Sequence, residues 1–486
     1  MVTVLTYGHF SSIHPGHLRY LGYAKKQGEK VIIAVAGDER DNKGNPIYPY
    51  SQEERIESLR RFTTNEELIS LANKDLAAAI KDLKPDFLVL GIEHKNTNDI
   101  RIHEAIDLQV CEGRKVLYHV TDQVNDAHDL LTKTEQERKE KKLKAIKEIC
   151  EKRSIQKSDI NELLENWKNA NILVIGDTIV DEYSVCEALG LSAEAPVVVV
   201  KEIEEKKFVG GASIVASHIS ALGAKCSYIS VTGDDEASEW IRSELNSLNI
   251  NCSLIKDKRR PTTVKKRYVV DGQKLFRVSK LDEKDVDSEV ERKVIEELEE
   301  KIKTHDGIVI SDFVYGVITD KVKDTIESLA TKKGIPIFAD LQCSSQVGSI
   351  TKYRGAELIC PNEREAKVAL QKKDINLEQL SLEVMKVTRS KNMIMKIGAE
   401  GFIVYQNQDD GRTVKQAYPA LAVTPVDVTG AGDSLLAGMA IGLSLRQPIM
   451  KVAFIGTFIA CTAVETMGNV PITIKKLESK ITEFFD

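Results

Sequence analysis

Asp427-Val428-Thr429-Gly430-Ala431-Gly432-Asp433-Ser434 runs directly into Leu435 to Leu445, a long apolar stretch that reads as a helix. Glycines at such a helix start let backbone amides face an anion with no Cβ in the way. A carboxylate beside that anion hole can take a proton from an attacking hydroxyl while the amides steady a transferred phosphoryl group. The same eight residues also fit a plain Gly-rich turn in which Asp433 is only a charge at a helix N-terminus. The surrounding chain decides between these readings.

Upstream lie short apolar runs at Ile172 to Ile175, Val197 to Lys201, Ser227 to Thr232, Val264 to Val270, Gly307 to Ser311, Pro336 to Asp340 and Met393 to Ile397, most of them separated by helical patterns. That alternation predicts a largely parallel sheet covered on both faces. Two amphipathic strand segments, near residues 196–209 and 263–279, are expected to project as a small β lid. Gly210-Gly211 follows a strand, Asn362-x-x-Glu365 follows Pro361, and Gly430-Ala431-Gly432-Asp433 comes last. In that order, over about residues 170–480, these motifs resemble the ribokinase family of sugar kinases.

The resemblance implies that Asp433 is the base and that Gly430, Ala431 and Gly432 form the anion hole. It places Asn362 and Glu365 on the magnesium and phosphate side, Lys396 and Gly398 near the nucleotide, and Asp177, Gly210 and Gly211 near the sugar hydroxyls. Residues spaced i, i+3 share a helix face, which suits water-mediated contact with Mg2+. Taken singly, Asn362 and Glu365 also read as the capped start of a surface helix.

A narrower likeness rests on Asn171-Ile172-Leu173-Val174-Ile175-Gly176-Asp177, Ser192-Ala193-Glu194-Ala195-Pro196-Val197, Gly210-Gly211-Ala212, Lys265-x-Arg267, Gln273-x-Leu275-x-Arg277 and Ser311-Asp312. These look like the kinase half of the bifunctional heptose-7-phosphate kinase/heptose-1-phosphate adenylyltransferases. That likeness implies that Lys265, Arg267, Arg277 and Asp312 grip the sugar phosphate and its hydroxyls. The three basic residues read otherwise as the exposed face of an edge strand. Ile214 stands where an asparagine is expected, Tyr315 where a lysine is, and Leu341-Gln342 where Pro-Lys is. Such losses of a polar partner bear on which sugar is accepted.

The chain opens with a second α/β pattern. Val2 to Thr6 reads as a strand, followed by Tyr7-Gly8-His9-Phe10-Ser11-Ser12-Ile13-His14-Pro15-Gly16-His17 and a helix. Imidazoles flanking a glycine at a helix N-terminus can donate to phosphate oxygens, which suits attack on a nucleotide α-phosphate. The string resembles the H-x-G-H signature of nucleotidyltransferases, with Gly8, Phe10, His14, Gly16 and His17 matching and Ser11 in the place of an aspartate. The resemblance implies that His14 and His17 are catalytic. It sets Arg55 at a phosphate and Gly91, after Pro85 to Leu90, beside the base. Leu90 replaces an expected lysine, and Asp126 stands where that family puts hydroxyls.

Between the two patterns, Lys133 to Arg153 holds 9 basic and 5 acidic residues among 21, with sparse apolar positions at Leu143, Ile146 and Ile149. That spacing predicts a solvated connecting helix. The expected organisation is a nucleotidyltransferase-like domain over residues 1–131, a charged helical linker over 132–168 and a ribokinase-like domain over 169–486.

Across all 486 residues the net charge is −6, which argues against nucleic acid as a partner. No apolar run is long enough for a membrane span, and Met1 to Phe10 is expected to be a strand running into a turn, without the basic start and apolar run of a signal sequence. The eight cysteines form no CxxC pair, so a reduced, cytoplasmic setting is expected. Together the resemblances imply a two-activity enzyme of nucleotide-sugar synthesis, of the kind that serves lipopolysaccharide precursors. Its partners would be Mg2+, ATP, a second nucleoside triphosphate (ATP or CTP) and a sugar phosphate, with a homodimer formed through the lid. The rival reading is a sugar kinase whose first domain only binds nucleotide.

Overall fold

A computed structural model describes residues 2–10, 13, 15–38, 50–63, 66–71, 75–91, 94, 99–119, 134–192, 194, 197–342, 348–372 and 375–486. The chain divides into two units, Met1–Arg138 and Lys139–Asp486.

In the first unit, β1 (Thr3–Gly8), β2 (Lys30–Val35), β3 (Glu67–Ser70), β4 (Phe87–Gly91) and β5 (Lys115–His119) form a parallel sheet of order β3-β2-β1-β4-β5. Strand residues alternate between faces, and each face has its own core. Leu5, Tyr7, Ile32, Ala34, Leu88 and Leu90 pack on one side, while Val4, Ile33, Val35 and Val89 pack on the other with Phe10 and Leu59. The strand order reverses between β1 and β4, so Gly8 and Gly91 end adjacent strands at the topological switch point. Ligands of open α/β sheets bind in the crevice there.

In the second unit, chain order runs β6 (Asn171–Gly176), β7 (Thr178–Leu191), β8 (Val198–Gly211), β9 (Lys225–Thr232), β10 (Asn251–Lys256), β11 (Thr263–Val270) and β12 (Gln273–Lys280). It continues through β13 (Gly307–Asp312), β14 (Ile337–Leu341), β15 (Leu358–Ile359), β16 (Asn392–Lys396), β17 (Phe402–Asn407) and β18 (Thr413–Tyr418). Among the described residues a nine-stranded sheet has the order β10-β9-β6-β13-β14-β15-β16-β17-β18, antiparallel only at β17 and β18. Helices Ala212–Ala221, Ala431–Ser444 and Ile449–Ala463 bury one face, and Ser288–Lys301, Asp320–Lys333 and Leu377–Thr388 the other.

Four strands, in the order β12-β11-β7-β8, make the separate lid. The two expected lid segments are present, and they are joined by β7, which pairs parallel with β11 and antiparallel with β8.

The charged segment differs from the solvated connector expected of it. Helix Glu135–Arg153 buries Ile146 and Ile149, and these join Ile155, Ile160, Leu164 and Trp167 in the core of the second unit. Trp167 Nε1 donates to Gln447 Oε1 at 3.0 Å. A narrow apolar stripe is sufficient because only one face of the helix is covered. No helix among the described residues is long and apolar enough to cross a membrane.

Candidate functional site

Gly430 caps the helix Ala431–Ser444 in a left-handed conformation, φ +79°, which a side chain at that position would strain. A hydrogen bond from Ser434 N to Gly430 O, 2.9 Å, opens the helix, so the amides of Gly432 and Asp433 precede it and have no intrahelical partner. These are the amides that the sequence set at an anion.

Asp433 stands in the first turn, 6% exposed. Burial pushes its carboxyl up to about 7, with Asp340 adding to the effect and Lys396 opposing it. Gln342 Nε2 donates to Asp433 Oδ1 at 2.8 Å. Lys396 Nζ contacts both oxygens of the fully buried Asp340, at 2.9 and 3.0 Å. Burial disfavours the ammonium, but Asp340 and then Glu365 hold its pKa above the ordinary lysine value. A Cβ on Gly432 would lie 3.4 Å from Lys396 Nζ, so the cation sits against the anion loop.

Asn362 bridges to Lys396 and caps the helix Glu363–Leu370. Its Oδ1 accepts from Glu365 N at 2.9 Å, and Glu365 Oε2 accepts from Asn362 N at 2.8 Å. Both the capped-helix reading and the placement of Glu365 near Lys396 are thus realised at once. Gly398, φ +64°, opens the short turn Gly398–Glu400 just beyond the end of β16.

The lid supplies the other wall. Asp181 pairs in register with Lys265, Tyr183 with Arg267, and Arg267 with Arg277, so all five share one lid face. Arg267 Nη1 donates to Asp181 Oδ1, and its guanidinium lies 5.2 Å from the Tyr183 ring centre. Lys265 is buried, with Nζ 5.0 Å from the Phe313 ring centre and 5.1 Å from that of Tyr315. Arg277 is exposed on β12.

Two lid residues also reach the anion loop. Tyr183 Oη donates to Asp427 Oδ2 at 2.8 Å, and Lys274 Nζ reaches Asp427 Oδ1 at 2.8 Å and Thr429 Oγ1 at 2.9 Å.

The structure gives Asp177 a different task from holding sugar hydroxyls. Its Oδ2 accepts from the amides of Phe313, 2.7 Å, and Tyr315, 3.3 Å, and its Oδ1 from that of Val317, 3.3 Å. Burial, with Asp312 second, pushes this carboxyl up to about 7. Asp312 is likewise committed, to Tyr353 Oη, to Lys352 Nζ at 2.6 Å and to the Val314 amide at 2.8 Å. Both aspartates hold the Phe313 to Val317 loop.

Asp181, four residues on from Asp177, borders Asp433. It is near enough to Asp433 to raise its pKa, and a Cβ on Gly210 would fall 2.2 Å from its Oδ2. Gly210 is required by this carboxylate, whereas Gly211, φ +63°, caps the helix Ala212–Ala221. The i, i+4 repeat of aspartate after Gly176 was the available signal, and a strand period of two makes it easy to overlook.

In the first unit, Phe10, φ +51°, folds its ring over Gly8, where a Cβ would lie 2.9 Å from it. The Phe10 and His17 ring centres are 5.1 Å apart, and Gly16 and His17 lie in the first turn of the helix Pro15–Lys25. His14, Ser11 and Asp126 lie outside the described residues.

Arg55 departs from the phosphate role expected of it. It is 1% exposed, donating to carbonyls of His9, Ala36 (2.9 Å), Gly37 (3.3 Å) and Tyr50 (3.2 Å) and pairing with Asp38 at 3.0 Å. Its five donors tie the turn after β1 to the turn after β2. Leu90, in the place of the expected lysine, is core.

These features agree with what the chain is similar to. A family model described as pfkB family carbohydrate kinase matches residues 169–475, and one described as cytidylyltransferase-like matches residues 5–128. The bifunctional protein HldE of Campylobacter jejuni (serotype O:2) is 32% identical over 313 residues, and that of Nitratiruptor sp. is 29% identical over 310. Each alignment covers 63% of this chain and 64% of the relative, so the chain spans about two thirds, at most, of the relatives it matches. Phosphofructokinase-2 from Escherichia coli, solved with substrates and products, superposes with a TM-score of 0.53 at 16% identity, covering 65% of this chain and 99% of that one. At that identity the likeness concerns the fold.

Proposed function

From the premise that the chain belongs to the pfkB family of carbohydrate kinases, we propose that it makes a nucleotide sugar in two steps. The kinase unit moves the γ-phosphoryl group of ATP to a hydroxyl of a sugar phosphate. The default acceptor is a heptose 7-phosphate, phosphorylated at the anomeric hydroxyl, which the resemblance of the kinase motifs implies and the similarity to relatives named bifunctional protein HldE supports. The observation that supports this most directly is Asp433, buried beside the amides of Gly432 and opposite the basic lid face of Lys265, Arg267 and Arg277.

Asp433 takes the hydroxyl proton as the sugar oxygen bonds to the γ-phosphorus, and the bond to the bridging oxygen of ADP breaks. The amides after Gly430 and the ammonium of Lys396 stabilise charge on the phosphoryl oxygens. Glu365, Asn362 and Asp340 form an oxygen donor set suited to holding Mg2+ through water, and that ion would neutralise the nucleotide phosphates. Asp181 orients the acceptor, while Arg267 and Arg277 lie where a sugar phosphate group can be gripped.

The first unit would then join the sugar 1-phosphate to a nucleoside triphosphate, ATP or CTP, with pyrophosphate leaving. His17 and His14 steady the phosphates, and the ends of β1 and β4 at Gly8 and Gly91 frame the switch point where the nucleotide would lie. A second reading, a kinase whose first unit only binds nucleotide, is favoured by the commitment of Arg55 to main-chain carbonyls and by Leu90 in the core. A homodimer formed through the lid is supported by the exposed Leu189, Val198, Ile203, Phe276 and Val278, and a cytoplasmic setting by the free thiols among the described residues.

A panel of sugar phosphates with MgATP, followed by incubation of each product with ATP or CTP, tests both steps. Phosphate gain by a heptose 7-phosphate and release of pyrophosphate are expected. Phosphorylation without any pyrophosphate would leave the second reading standing.

A further inference from the structure

Asn469 lies in the connection between the helices Ile449–Ala463 and Ile474–Phe485. Its side chain is 6% exposed and stands between the two glycines that shape the kinase site. Nδ2 donates to Asp181 Oδ2 at 2.8 Å, and a Cβ on Gly210 would fall 3.3 Å from that nitrogen. A Cβ on Gly430 would fall 2.3 Å from Oδ1. Oδ1 is itself buried and has no hydrogen-bond partner among the described residues.

A buried acceptor without a donor is costly, and native structures seldom leave one without a reason. Beside the anion loop, a phosphate oxygen cannot relieve it, because that oxygen is an acceptor too. An alcohol O–H can. Asp181 is held at both oxygens, by Arg267 at Oδ1 and by Asn469 at Oδ2, yet each carboxylate oxygen keeps a further lone pair. Asn469 and Asp181 therefore present adjacent acceptors next to the base Asp433.

We propose that Asn469 is a specificity-determining residue for the acceptor alcohol: its Nδ2 fixes Asp181, and its Oδ1 takes a hydrogen bond from one sugar hydroxyl. This deepens the sugar-phosphorylation reading above and rests on it. The arrangement discriminates because a site built to pair a hydroxyl is left with an unmatched buried group when the substrate lacks it.

The test uses the full chain, MgATP, and D-glycero-D-manno-heptose 7-phosphate and D-fructose 6-phosphate as probes, then monodeoxy analogues of whichever is phosphorylated faster. Asn469→Ala should raise the acceptor KM by about tenfold or more, the loss expected for one buried hydrogen bond, and move the MgATP KM less than about twofold. One particular deoxy analogue should cost the wild type about tenfold and cost the variant little, since the partner of the missing hydroxyl is gone. Asn469→Ser, whose hydroxyl can still donate to Asp181, should recover part of the loss. It also carries the deoxy comparison if the alanine variant does not fold. Equal shifts in both KM values, or a deoxy penalty unchanged in the variants, would overturn the assignment. A wild type that phosphorylates neither sugar would instead refute the sugar-phosphate reading, and the inference with it.

Discussion

The side-chain amide of Gln342 donates to the carboxylate of Asp433 at 2.8 Å and lies 3.4 Å from Asp340, joining the two buried acids. A neutral amide at that position leaves Asp433 without a cation of its own among the described residues, since Lys396 is engaged by Asp340. Burial then dominates, and the carboxyl sits near 7 instead of near 4.

The kinase pH profile should carry this signature. A base works only when unprotonated, so kcat/KM for the sugar should rise with pH through a midpoint of about 7. Gln342→Lys places a cation beside the carboxylate, which favours ionisation and should move the midpoint below that value. Asp433→Asn should lower kcat by about 10²- to 10⁴-fold, the usual contribution of a positioned general base. Steady-state rates between pH 5 and 9 check all three outcomes.

Lys396, proposed above as a phosphate-side cation, is also a stability element. Lys396→Met would leave Asp340, fully buried, without its counter-charge. Breaking a buried pair on one side costs about 3–5 kcal/mol, so a clear fall in Tm is expected alongside lost phosphorylation. Lys396→Met combined with Asp340→Leu should restore most of the Tm and none of the activity. Calorimetry of the three proteins separates the two roles.

His218 gives a separate acid-stability prediction. It is buried among the helices on one face of the large sheet, and its Nδ1 accepts from the Ile472 amide at 3.2 Å. Burial lowers its pKa to about 3. The unfolded chain takes up this proton near pH 6.5 and the folded chain does not, so stability declines as the pH falls below that value. The slope contributed is about 1.4 kcal/mol per pH unit, ending as the folded pKa is approached. His218→Gln keeps an acceptor for Ile472 without a titrating group, and its urea midpoint should depend less on pH between 4 and 6.

How legible the site was depended on what each residue needs from the backbone. Gly430 and Gly432 were legible because bare amides at a helix start demand glycine in a recognisable string. Asp433 followed from its place in that string. Strand β7 escaped notice because Asp181, Glu182 and Glu187 break its apolar pattern, and Asp181 escaped with it. Arg55 was found by its motif, but a motif does not say whether a guanidinium faces phosphate or, as in this structure, carbonyl oxygen. The helix Glu135–Arg153 looked like a spacer because charge dominates its composition, although Ile146 and Ile149, with Leu143 and Cys150 packed beside them, seat it on the core.

Arg55 supplies the last prediction. As five main-chain and side-chain contacts hold it between two turns, it shapes the first unit instead of greeting a phosphate. Arg55→Met should leave several buried carbonyls without donors, each at a cost of about 1–3 kcal/mol before relaxation. The first unit has its own core, so its loss should appear as an earlier, separate unfolding transition while phosphorylation by the second unit continues. His17→Ala should differ, abolishing pyrophosphate release with that transition unmoved. If Arg55→Met instead left the transition in place and only raised the KM for the nucleoside triphosphate, the guanidinium would be a phosphate ligand after all, freed from its carbonyls when the nucleotide arrives.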